Sequence, residues 1–317
     1  FLFKPPTAYL AAYQQPSGSR FGADALYNGE NRKYGGMFTY FFKESKNNKN
    51  DSLTLKLFDN ERQIRTLKKK VPEKTGFYRW YWRLDEKGVD LPSRSNKNTD
   101  SEPGGVKVKP GNYRVVLESK NSISEAEITV NTDPRFIVSK KTLEDRYNYS
   151  KQIEEFFKKT SEAVNQLREG KKTLGIYKNR LEKIDNESNK KLVKKISVNI
   201  SEIEEIISFF LGKEDDRQGI VRNPENSIIK RLSNARRYVK SRPNTITNTE
   251  KQLLDHAYTG LKKGLEKTND YFNDNWENLK NEIESINLSE FKSIRKLELP
   301  INWFKYFIFF KKKIIWI

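Results

Sequence analysis

The spacing of apolar residues changes period once, at Asp133-Pro134-Arg135. Before this tripeptide they recur at every second residue; after it, at every third and fourth. Proline cannot donate to a strand ladder, and it restricts the residue before it to non-helical geometry, so both kinds of element must stop here. The switch divides the chain into a strand-forming and a helix-forming part. That is an α+β organisation in two domains, which 317 residues accommodate.

Upstream of the switch, each apolar run has one apolar face. Phe38, Tyr40 and Phe42 share a face, as do Leu53, Leu55 and Leu57. Asp59-Asn60 is turn chemistry, and RQIRTL returns as a strand. In FYRWYWRL, Tyr78, Trp80, Trp82 and Leu84 alternate with Arg79 and Arg83, which predicts all four in one core. Tyr113, Val115 and Leu117 alternate with Arg114 and Glu118; Ala126, Ile128 and Val130 alternate with acidic residues and Thr129. About six or seven short strands with one apolar face each predict an antiparallel β-sandwich, Ig-like or fibronectin-like, over residues 35–134. The polar stretch 88–106 reads as an exposed loop. Residues 1–34, rich in Gly, Pro, Ser and Tyr without a period, read as an irregular linker.

Downstream, four stripes follow the helical period. The first holds Ile153, Phe156, Phe157, Ala163, Val164, Leu167, Leu174, Tyr177, Leu181 and Ile184. After a turn at 185–189, the second runs from Leu192 to Phe210 and closes at Gly212. Beyond a polar loop at 213–226, Ile228, Ile229, Leu232, Ala235 and Val239 form the third, which ends before Pro243. Thr247 and Glu250 form a capping box that opens the fourth, which runs through Leu254, Leu261, Phe272 and Trp276 to Ile283. Four amphipathic helices with short turns predict an antiparallel four-helix bundle over 135–290. The tail 291–317 reads as irregular or non-native. Its end, PINWFKYFIFFKKKIIWI, is too short to span a bilayer. An interfacial anchor and a translated non-native end are the two readings of it.

Lys+Arg is 61 against Asp+Glu 42, a formal charge of +19. Such an excess fits a polyanion partner. It also fits a compositional bias, because Lys is scattered among Glu along the same segments, as in KQIEEFFKKTSEAVNQLREGKK. With no Cys, disulfides and thiolate metal sites are excluded. The one His, His256, lies beside the fourth stripe as a surface or packing residue. The chain has no paired carboxylates at recognisable strand ends, and neither DEKGVD nor GKEDDRQG has calcium-loop spacing. EPGG lacks the Lys-Ser/Thr ending of a phosphate loop. All three read as turns. No catalytic residue, cofactor site or metal site is expected. The start, FLFKPPTAYL, is not a signal peptide and reads as a chain with its upstream part missing.

The succession FYRWYWRLDEKGVDLP, EPGG, KPGNYRVVL and DPR resembles the region that follows the β-propeller in bacterial sortilin-like, BNR-repeat proteins, often labelled glycosyl hydrolases. The matching positions are Trp82, Leu84, Lys87, Gly88, Pro92, 102–105, Pro110, Gly111, Tyr113 and 133–135. Arg83 stands where that family commonly has an acidic residue. Residues 2–9 look like the segment leaving the propeller, and 242–280 resemble the family's last helices. The resemblance covers residues 1–300 and leaves out 301–317. It implies an extracytoplasmic bacterial protein whose ligand-binding or hydrolytic surface lies on an upstream propeller. This chain would then be a non-catalytic accessory or interaction module, with that propeller as partner and a further protein or glycan partner unidentified. A basic polyanion-binding module and a carbohydrate-binding sandwich are the alternatives. No specific nucleic-acid partner and no transmembrane span are expected.

Overall fold

The computed structural model describes residues 1–11, 33–43, 51–93, 101–120, 122–183, 187–213 and 227–286. The tail 291–317, GKEDDRQG beyond its first two residues, and most of segments 1–34 and 213–226 lie outside this set, as does Ile184. The chain is α+β, with its strands before Pro134 and its helices after it.

One sheet has five strands in the order β1 (Ala8–Leu10), β9 (Ser122–Thr132), β8 (Gly111–Ser119), β3 (Ser52–Asp59) and β4 (Arg62–Lys70). The β1–β9 pairing is parallel and the others are antiparallel. The β3–β4 hairpin turns at Asn60, whose φ of 53° is the left-handed conformation that Asn tolerates. Facing this sheet, β2 (Gly36–Phe42) pairs antiparallel with β5 (Gly76–Trp82). Leu53, Leu55, Leu57, Val115, Ile128 and Val130 of the first sheet share one core with Phe38, Tyr40 and Trp82 of the second. Alternation along each strand produces this, since a one-residue slip would turn every one of these side chains to water.

Trp82 is fully buried, with its ring edge on Tyr113 (centroids 5.7 Å) and its Nε1 donating to the Asp85 carbonyl at 2.8 Å. Tyr78 and Trp80 are only half-buried. Their rings pack around Tyr40 at 5.8 and 6.5 Å, at the rim of the core rather than within it. Leu84 is buried as expected, but its φ of 55° is unusual for a residue with a γ-branched side chain. There the chain leaves β5 and turns into a short hairpin, β6 (Asp85–Lys87) with β7 (Gly104–Lys107).

Two expectations fail here. Residues 1–11 are not irregular throughout. Ala8–Leu10 forms β1, and the segment before it runs along β2, with Phe3 N–H donating to Thr39 O and Phe41 N–H to Phe1 O at 3.0 and 2.9 Å. Composition hid this because Pro5 and Pro6 interrupt the alternation between the two paired stretches. The stretch 88–106 is also not simply an exposed loop. Gly88 is buried, Val106 is buried, and Val89 packs into the helical core.

After β9, Asp133 pairs with the Arg135 guanidinium at 2.5 Å. Ser139 caps α1 (Lys140–Leu181) by accepting from Thr142 N–H at 3.1 Å. α2 (Glu187–Leu211) closes at Gly212, whose φ of 79° suits glycine at a helix end. α3 (Ile228–Ser241) and α4 (Asn248–Tyr271) follow, and the Thr247–Glu250 capping box is formed. α1, α2, α3 and α4 pack on one another around a second core that includes Phe157, Leu167, Ile196, Ile203, Phe210 and Leu232. Gly264 permits close approach, since a Cβ there would lie 2.6 Å from Ile228 Cδ1 and 2.8 Å from the Phe210 ring. The fourth stripe is not one α-helix. A five-residue π-helical segment, Phe272–Trp276, separates α4 from α5 (Glu277–Glu284). It sets both aromatic rings against Gly170 of α1, where a Cβ would meet Trp276 at 3.2 Å and Phe272 at 3.5 Å.

Replacing Trp82 with Ala is expected to lower stability by about 3–5 kcal/mol, as for other large-to-small core changes. Trp80→Ala, at the rim, is expected to cost less than half of that. Urea denaturation of the two variants checks the order; equal losses would contradict this placement of the core.

Candidate functional site

The most elaborate side-chain arrangement lies between the strands and the helices. At its centre is Glu86 of β6, only 4% exposed. Its Oε1 accepts from Arg62 Nη2 at 2.9 Å and from the Tyr147 hydroxyl at 2.7 Å. Its Oε2 accepts from Arg62 Nη1 and from Lys151 Nζ, both at 3.3 Å. Arg62 comes from β4, whereas Tyr147 and Lys151 come from α1, one helical turn apart. One carboxylate therefore ties the sheet to the first helix.

Neighbouring groups repeat the pattern. Arg65, buried on β4, donates to the backbone carbonyls of Glu86 (3.3 Å), Pro103 and Glu102 (3.1 Å). The Glu102 carboxylate accepts from Thr66 N–H at 2.8 Å. Lys151 also pairs with Glu154 at 2.6 Å, and a Cβ on Gly105 would lie 2.8 Å from the Glu154 carboxylate. Lys109 sits over the Tyr147 ring at 5.2 Å. Farther along α1, Arg168 donates to the Ser93 carbonyl. At the other end, Arg146 donates to the carbonyls of Val239 and Asn244 and pairs with Glu250 at 3.5 Å.

The electrostatics follow from burial and pairing. Burial pushes the Glu86 pKa up, but hydrogen bonds from Arg62 and Tyr147 and the charges of Lys151 and Arg62 outweigh it, and the net shift is downward. Burial and the bond to Glu86 both raise the Tyr147 pKa. Every oxygen of Glu86 is engaged with a donor, so the carboxylate serves as an anchor rather than as a proton carrier.

DEKGVD and EPGG, read above as turns, form the β6–β7 hairpin that makes this junction. Their acidic residues do not sit side by side as a ligand set. Glu86 faces α1, and Glu102 faces β4. No group of three His, Asp or Glu able to hold a metal occurs among the described residues. His256 is exposed on α4, with its carbonyl accepting from Arg231 at 3.2 Å. Sequence reading missed Glu86, Arg62 and Arg65, because single charged residues in strands look like solvent-face alternation.

Two other surfaces stand out. An open groove of about 460 Å³ between α2 and α4 is lined by Glu202, Glu205, Phe209, Lys267, Asp270 and Asp274 among others. On the outer face of the β2–β5 pair, Phe41 and Phe77 are cross-strand partners, and the rings of Phe1, Phe3, Phe77 and Phe41 touch in sequence at 4.9, 5.8 and 5.2 Å. Phe1 and Phe77 are 71% and 69% exposed.

No family model matches this chain, and no curated protein matches it. Among solved structures the chain is similar to pT26-6p at 13% identity, over 78% of this chain and 46% of that one, with a TM-score of 0.14. The chain thus spans less than half the length of pT26-6p, and a superposition this loose carries no argument. The likeness to sortilin-like BNR-repeat proteins rests on the motifs quoted above. No described helix is long and apolar enough to cross a membrane.

Glu86→Gln is expected to lower stability at pH 7 by about 1.5–3 kcal/mol, the range for hydrogen bonds to a charged group. Because the folded pKa of Glu86 is depressed, its contribution is present above the unfolded value of about 4.3 and is lost as pH falls through the folded value. The gap between parent and variant should therefore narrow below about pH 4. Chemical denaturation from pH 3 to 7 checks this; a gap independent of pH would assign the loss to packing.

Proposed function

We propose that this chain is a non-catalytic accessory and interaction module from the C-terminal part of a larger extracytoplasmic bacterial protein of the sortilin-like, BNR-repeat kind. In this reading residues 35–134, completed by the strand Ala8–Leu10, are an Ig-like sandwich that follows an upstream β-propeller, and residues 135–290 are an antiparallel four-helix bundle. Any hydrolytic chemistry belongs to that propeller. The partner is the propeller itself, held against the outer face of the β2–β5 pair.

The observation that carries this is the cluster of Phe1, Phe3, Phe41 and Phe77. Phe77, 69% exposed in mid-strand and continuous with Phe3 and Phe41, marks an apolar surface that another body covers. The network around Glu86 adds a second support. A spacer must hold its two parts at a fixed angle, and a buried carboxylate shared by both does so.

The same rings weigh against carbohydrate. Successive rings are inclined at 83°, 42° and 59°, whereas the flat face of a sugar needs a level platform. Phenylalanine also lacks the polar handle that lets Tyr and Trp hydrogen-bond a hydroxyl-rich ligand.

The test uses the domain encoded immediately upstream of Phe1, expressed separately and titrated against this chain by calorimetry. Saturable binding is expected, with a loss of at least about tenfold in affinity for Phe77→Asp, since truncating an interface anchor commonly costs more than 1 kcal/mol. Phe77 is exposed and the substitution should leave folding intact. No binding, or equal binding by the variant, would contradict the proposal.

A further inference from the structure

α3 differs from the other helices in its charge. Its sequence, IIKRLSNARRYVKS, holds five cationic residues and no carboxylate. On α1, by contrast, Lys is paired with Glu along the surface, as in Lys159–Glu162 and Lys151–Glu154. Arg236 and Lys240, one turn apart on α3, both line a recess of about 30 Å³ where this helix meets the β6–β7 hairpin and α1. Gly104, Gly105, Ser150 and Glu154 also line it, and the rest of its wall is apolar, with Val89, Ile153 and Phe157 among the side chains.

The Arg236 guanidinium lies over the Phe157 ring at 4.8 Å, and neither it nor Lys240 has a hydrogen bond or an ion pair among the described residues. A third cation, Lys107 of β7, donates to the Arg83 carbonyl at 2.6 Å and lies over the Tyr34 ring at 4.7 Å. Two carboxylates lie close by, Glu154 in the wall and Asp85 behind Gly104. Glu154 is already held by Lys151 at 2.6 Å, and Asp85 is shared between Lys107 and Lys240. Partial burial and then the charge of Arg236 push the Lys240 pKa down, against the pull of Glu154 and Asp85; burial, with Lys240 and Arg83, does the same to Lys107, against the pull of Asp85. Folding therefore brings Lys240 close to both Arg236 and Lys107, and Glu154 and Asp85 offset their repulsion only in part.

We infer that this recess binds a single phosphate- or sulfate-type group, with the Arg236 guanidinium and the Lys240 ammonium as its ligands. The guanidinium offers a planar fork that matches two oxygens of such a group, and the ammonium adds a point charge. The recess has room for little more than a water-sized group, so the rest of the anion stays at the mouth, where Lys240 is exposed. A long polyanion finds no continuation, because the neighbouring faces of α1 carry alternating charges. This site is independent of the phenylalanine surface proposed for docking.

The test titrates the full chain with inorganic phosphate at constant ionic strength, balanced with chloride, and follows the thermal midpoint and the heat of binding. A parallel arm uses a heparin-derived tetrasaccharide, which carries sulfate on a sugar. A saturable rise in midpoint is expected in at least one arm. Lys240→Gln should weaken it about tenfold, as expected for losing one charge-assisted contact. Lys240 is exposed, so this change spares the core. Arg237→Gln, on the solvent side of the same helix, should leave binding unchanged. Saturation with phosphate identifies a free anion as ligand; saturation with the tetrasaccharide alone identifies a glycan-borne sulfate. A linear, non-saturating shift, or equal affinity in the Lys240 and Arg237 variants, would overturn the inference.

Discussion

The structure turns on a carboxylate taken out of water. Burying an ionised carboxylate is costly unless donors replace its hydration, and Glu86 recovers that loss from three side chains on two different parts of the fold. The partners cannot be satisfied separately. If α1 moved away, Tyr147 and Lys151 would leave, and Glu86 would stay buried against β4 with Arg62 alone. Such a network has few geometries in which every member is paired, so it fixes an angle more strictly than an apolar contact could. Val89 works the other way round, taking an apolar side chain from the strand part into the helical core.

Most of the core was legible in the sequence, and the junction was not. Alternation located Leu53, Leu55, Leu57, Val115, Ile128 and Trp82 because each sheet buries one face, and the helical stripes located Phe157, Leu167, Ile203 and Leu232 for the corresponding reason. Turn and cap chemistry was equally direct at Asn60 and at Thr247–Glu250. Periodicity fails where the chain makes long-range polar bonds. Glu86, Arg62 and Tyr147 lie 24 and 61 residues apart from one another along the chain, and nothing local distinguishes them from solvent-facing residues. The parallel pairing of β1 was hidden for a similar reason, since its partner lies beyond residue 120.

Alternation also misjudged depth. It placed Tyr78 and Trp80 with Trp82, yet only Trp82 is fully enclosed. Which face a side chain takes is a local property of the strand; how far it lies beneath the opposing sheet depends on where that sheet ends. Likewise the fourth helical stripe gave the right residues but not the π-helical segment, because one extra residue per turn alters the backbone without moving Phe272 and Trp276 off the apolar side.

Net charge divides in the same way into what composition states and what folding arranges. A value of +19 spread over a chain with Lys and Glu interleaved is a weak argument for any ligand. Along α1 and α2 the fold confirms that interleaving, with ion pairs at Lys159–Glu162, Lys171–Glu204 and Lys190–Glu187. Exposed pairs of this sort add little stability, but they do cancel local potential. At α3 the cancellation is weaker, because the helix has no carboxylate of its own and the acids it faces, Asp85 and Glu154, also act on Lys107 and Lys151. Positive potential therefore gathers at one recess rather than over the whole surface. The same hairpin that anchors Glu86 lines that recess with Gly104 and Gly105, and the missing side chain of Gly105 lets Glu154 of α1 come close. The junction that joins strands to helices is thus also what sets the hairpin beside Arg236 and Lys240.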